Sequence, residues 1–67
     1  MYPNLKAEMA RRNVSVRKLS ELIGMSITTL YDKMRGVSSF TFEECLKIKD
    51  ALGVDVVVEI LFAKEVA

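Results

Sequence analysis

Apolar residues recur along this chain mainly at helical spacing. Leu5 and Met9, Leu19 and Ile23, and Leu30 and Met34 are i, i+4 pairs, while Cys45, Ile48 and Leu52 follow i, i+3, i+7. Each set puts one apolar stripe on one face of a short helix. The residues between the stripes punctuate them. Pro3 or Asn4 opens the first helix, proline because it suits a first turn and asparagine because it can cap one. Asn13 fits a left-handed C-terminal cap, and Ser15 caps the second helix. Gly24 ends that helix and Ser26 caps the third, which spans about residues 27–35 and is closed by Gly36. A short polar link, residues 37–39, leads to the clearest local signal: Thr41 and Glu44 have capping-box spacing, and Phe40 is placed to staple onto Cys45. Gly53 ends the fourth helix. The tail reads two ways. Val54, Val56, Val58, Ile60 and Phe62 have strand spacing, whereas Val57, Ile60, Leu61 and Lys64 have helix spacing, with Asp55 as a possible cap.

Within this series, residues 16–36 predict a helix, a three-residue turn opening on glycine, and a second helix. That is a helix-turn-helix unit, which lays its second helix in the major groove of DNA. A chain of 67 residues is one domain, residues 1–67, and 51% hydrophobic content is ample for its core. Net charge is only +1, but it is unevenly spread. Through Gly36, Lys6, Arg11, Arg12, Arg17, Lys18, Lys33 and Arg35 face three acids; after it, Lys47, Lys49 and Lys64 face six. The basic half holds the proposed recognition unit, the footprint that phosphate contact requires. The chain has no histidine and a single cysteine, Cys45. A zinc finger, a histidine-based triad and an internal disulfide are therefore excluded, and neither a metal site nor a cofactor is expected. With no leader-like segment or long apolar run, a reducing cytoplasm is the expected setting and no membrane partner is expected.

The segment resembles the helix-turn-helix of phage-repressor and Cro-like regulators, the XRE family. Leu19, Ser20, Ile23, Gly24, Met25, Ser26 and Leu30 stand in that family's order. Residues 40–44 and 48–54 look like its fourth helix and exit, and the TLYDKMRG and FTFEE stretches resemble small regulators of phages and mobile elements in low-GC Gram-positive bacteria. The resemblance implies an all-α, five-helix, repressor-like domain. It also favours a helix in the tail over the strand that the valine run prefers by propensity. Two positions depart from the family pattern. Lys33 stands where a buried aliphatic residue is common, leaving Met34 to fill that space and Lys33 free for phosphate. Ser20 replaces the usual alanine, and its hydroxyl can bond back to the Val16 carbonyl.

Candidate DNA contacts follow from the proposed docking. Arg17 and Lys18 lie in the first turn of the second helix, where cations oppose the helix dipole unless an anion is near. Ser26, Ile27, Thr28, Tyr31, Asp32, Lys33 and Arg35 lie at the start or on the outward side of the third helix. Ile27 suits a thymine methyl, Thr28 a base edge or phosphate, Asp32 a cytosine amine and Tyr31 a groove edge. The tail is more apolar than a solvated segment needs, so Val56, Val57, Ile60 and Leu61 are the expected homodimer contact. The expected function is sequence-specific binding of double-stranded DNA to regulate transcription, as a phage-type repressor. No small-molecule ligand is evident, and no set of residues forms an acid–base pair or an activated nucleophile, so an enzyme is not expected. The alternative is a protein-binding adaptor or antirepressor that keeps the fold.

Overall fold

Capping chemistry sets the helix boundaries. In the computed structural model, which describes residues 2–64, the helices are α1 (Pro3–Arg11), α2 (Val16–Ile23), α3 (Ile27–Met34), α4 (Phe42–Leu52) and α5 (Val58–Leu61). Side-chain oxygens cap three of them: Ser15 accepts from the Lys18 N–H, Ser26 from Thr29, and Thr41 from Glu44, whose carboxylate returns to the Thr41 N–H. Asn13 takes a left-handed backbone, at φ 58°. Gly24, at φ 70°, supplies the reversal between α2 and α3 that a side chain would strain.

One aliphatic residue from each helix is fully buried: Leu5, Leu19, Leu30, Ile48 and Leu61. Tyr2, Met9, Met34, Leu52 and Val54 complete the cluster, with Val14, Val16, Ile23, Met25, Phe40 and Phe62 among the partly buried residues packed on it. α2 packs chiefly against α4 and α3, and α5 bridges α4 and α1. α3 therefore rests on the core along its Leu30–Met34 edge and turns its opposite face outward. Among the described residues, no helix is long and apolar enough to cross a membrane.

The structure corrects several local expectations. Asn4 does not cap α1; its Nδ2 donates to the Ile60 carbonyl at 2.8 Å, tying the first helix to the last. Asp55 does not cap α5, whose N-cap is Val57 with no side-chain bond. The Ser20 hydroxyl bonds the Arg17 carbonyl at 2.7 Å rather than that of Val16. Beyond any local role, Phe40 also joins an aromatic trio with Tyr2 and Phe62, ring centroids 5.1–5.9 Å apart and edge-on. In the tail the helix reading holds, though for one turn only: α5 starts at Val58, and among the described residues no strand forms. Before it, Val54 is buried and Val56 half-buried while Asp55 and Val57 face out. That turn buries Leu61 completely, because it must fill the space between α1 and α4. Leu61 is therefore core and not available as a dimer contact. Val56 is half-buried, whereas Val57 and Ile60 remain 51% and 55% exposed.

Candidate nucleic-acid interface

The turn that joins α2 to α3 is held by short-range bonds. The Gly24 and Met25 N–H groups both donate to the Ser20 carbonyl. Ser26 Oγ accepts from the Thr29 N–H at 3.2 Å and donates to Thr29 Oγ1 at 2.8 Å. These bonds fix the exit of α2 and the entry of α3.

Arg17 and Lys18 stand exposed in the first turn of α2, which contains no acidic residue. This cationic first turn carries charge of the sign an anion needs, at the end of a helix whose N–H groups favour one. On α3, Ser26 and Thr28 are exposed and Tyr31 is 48% exposed. Ile27 is half-buried. Asp32 and Arg35 engage each other, Oδ1 to Nη2 at 2.7 Å, with the arginine side chain 66% exposed. The aspartate thus already has a donor, and the guanidinium is held at the C-terminal end of the outward face.

Lys33 is placed otherwise than the sequence reading expects. Its ammonium is 2.9 Å from Glu44 Oε1 and 2.9 Å from the Ser39 carbonyl, with the side chain only 13% exposed. It is not free for phosphate; it ties α3 to the start of α4. Glu44 also accepts from the Thr41 N–H at 2.9 Å. That backbone donor, then the Lys33 ammonium, holds the Glu44 carboxyl below the usual glutamate range.

Two residues that the sequence reading passed over belong to this face. Thr29 is exposed beside Thr28, with its hydroxyl joined to Ser26; a helical wheel centred on Leu30 and Met34 places it outward. Lys6 of α1 lines a groove with Val16, Tyr31, Met34 and Arg35. No local pattern could have placed it there, since the neighbourhood depends on how α1 crosses α3. Ion pairing sorts the cations of the basic half. Arg11 and Arg12 both pair with Glu8, Lys33 with Glu44 and Arg35 with Asp32; among the described residues, Lys6, Arg17 and Lys18 have no ion-pair partner.

This geometry is a capped helix-turn-helix with an outward polar helix face and, among the described residues, cations without ion-pair partners. No curated protein and no solved structure matches the chain. Residues 4–61 match the Cro/C1-type HTH DNA-binding domain, so the chain belongs to that family of DNA-binding helix-turn-helix domains.

Proposed function

We propose that this protein is a sequence-specific transcriptional repressor of phage type, acting by occupying an operator in double-stranded DNA as a homodimer. The observation that carries this reading is the division of labour on α3. Leu30 and Met34 hold the helix to the core, while Thr28, Thr29, Tyr31 and Arg35 face out. Arg17 and Lys18 would then meet phosphates, with Ser26 and Ile27 at the groove wall, Thr28 near base edges, and Tyr31 and Arg35 where base edges meet the backbone. Asp32 serves first to orient Arg35. Lys33 is left out of the contact set.

Dimerisation through Val57 and Ile60, beside half-buried Val56, would place two recognition helices about one DNA turn apart, roughly 34 Å. The exposed apolar side chains supply the reason for a mate, since a small core gains from further apolar burial.

Selection of binding sites from a random duplex library, followed by titration of Thr28→Ala/Tyr31→Ala, tests the reading. A recovered near-palindrome is expected, with about 1–3 kcal/mol lost for each base-reading contact. A folded double mutant that binds the selected site as well as the parent would refute the docking. A second reading, a protein-binding adaptor, draws on Phe42 and Leu46, one turn apart on α4 and 67% and 40% exposed. Affinity for duplex DNA that falls steeply with salt favours the regulator, and absence of such binding favours the adaptor.

A further inference from the structure

The groove between α1 and the far end of α3 has a composition that the helix-turn-helix alone does not explain. Its volume is about 350 Å³, and it is lined by Lys6, Val16, Tyr31, Met34 and Arg35. The floor is apolar and two cations stand in the lining. Lys6 projects from the flank of α1 next to Leu5, opposite the flank on which Asn4 bonds α5. It has no ion-pair partner among the described residues, unlike Arg11 and Arg12 on the same helix. Val16, the first residue of α2, contributes to the lining, so the groove draws on α1, α2 and the end of α3.

We infer that this groove seats a stretch of the DNA sugar–phosphate backbone beside the recognition helix, with Lys6 as its phosphate contact. The inference rests on the DNA-binding reading above and extends it to α1. The chemistry matches: a deoxyribose offers an apolar face to Val16, Met34 and the Tyr31 ring, while the adjoining phosphate needs cations. Lys6 supplies an unshared one. Arg35 supplies a second whose charge is partly met by Asp32, and the Tyr31 hydroxyl adds a donor at the rim. A free apolar ligand would use the floor but leave the unpaired cation without a role.

The test is fluorescence titration of the full chain with a mixed-sequence duplex at several salt concentrations. Lys6→Gln is compared with Lys6→Arg, with Arg17→Gln and with Lys47→Gln, an exposed cation outside the groove. Neutralising Lys6 should weaken binding to all duplexes alike and reduce the slope of log affinity against log salt by about 0.9, with arginine restoring it. Lys47→Gln should leave the slope unchanged. A merely structural role for Lys6 would change thermal stability without moving the slope. If Arg17→Gln lowers the slope and Lys6→Gln does not, the groove assignment is overturned while the DNA reading stands. If the parent shows no salt-dependent binding, the DNA reading fails and takes this inference with it.

Discussion

Replacing Lys33 by methionine isolates the bond network that joins the recognition helix to α4. Methionine keeps most of the alkyl stem and removes the ammonium that bridges Glu44 and the Ser39 carbonyl, each at 2.9 Å. An exposed ion pair is worth about 0.2–1 kcal/mol, and a hydrogen bond to a charged group about 1.5–3 kcal/mol. With side chains 13% and 23% exposed, this pair lies between those limits. The Ser39 carbonyl is on an exposed residue and can turn to water, so its lost bond adds little. A loss of about 1–2 kcal/mol is expected, which for a domain this small lowers Tm by about 4–16 °C. Glu44→Gln retains an oxygen for the Thr41 N–H and so preserves the capping box. Thermal unfolding of the parent, both single variants and the double variant then gives a coupling of about 1 kcal/mol. Acid provides a second reading. Because the folded Glu44 pKa is depressed, its contribution is full above the ordinary value of 4.5 and is lost as pH falls through the folded value. The parent should therefore lose more stability on acidification than Glu44→Gln. A coupling below about 0.3 kcal/mol would mean that Lys33 does not anchor α3 through Glu44.

Three further outcomes follow from burial and bonding. Cys45 is buried, and desolvation, then the Glu44 charge, pushes its thiol pKa up; a thiol reagent should modify it only at the rate of unfolding, and rapid native labelling would contradict that placement. Val57→Glu and Ile60→Glu should shift sedimentation towards monomer while leaving the fold intact, whereas Leu61→Glu should unfold the domain because it places a charge in the core. Asn4→Ala should cost about 1 kcal/mol and selectively reduce amide protection in α5, since it removes the bond to the Ile60 carbonyl; uniform protection across all helices would show that α5 needs no such tether.

Local chemistry was legible in the sequence, and long-range contact was not. Ser15, Ser26 and the Thr41–Glu44 box act over three residues, so their roles could be read without knowing the fold. The same holds for Gly24 and for Asn13. The apolar stripes revealed which edges face inward, and hence that α3 presents an outward polar face. Asn4 and Lys33 defeated the same approach. Each has a plausible local role, as cap or free cation, but its partner is distant: Ile60 for Asn4, Glu44 for Lys33; the ring contacts of Phe40 with Tyr2 and Phe62 likewise carry no local signal. Lys6 had no local signal at all. The tail was ambiguous for a physical reason: its valines favour an extended backbone, and only one turn of helix is needed to bring Leu61 into the core.

The placement of Lys33 bears on how recognition could change. Residues on the outer face of α3, Thr28, Thr29 and Tyr31, have little or no part in the core, so their replacement should alter base preference at small cost in stability. Lys33, on the same helix, points towards α4 and ties α3 to it through Glu44 and the Ser39 carbonyl. Its substitution should therefore act on all contacted bases together, because it moves the helix as a body. Asp32 and Arg35 occupy an intermediate position. Their mutual bond at 2.7 Å is made without DNA, so Arg35 is held before it meets a base or phosphate. Less side-chain freedom then remains to be lost on binding, and in the proposed docking an Asp32→Ala change should weaken a contact made by Arg35. On α3, Leu30 and Met34 thus attach the helix to the core and Lys33 ties it to α4, which leaves readout, in the proposed docking, to the residues that face outward.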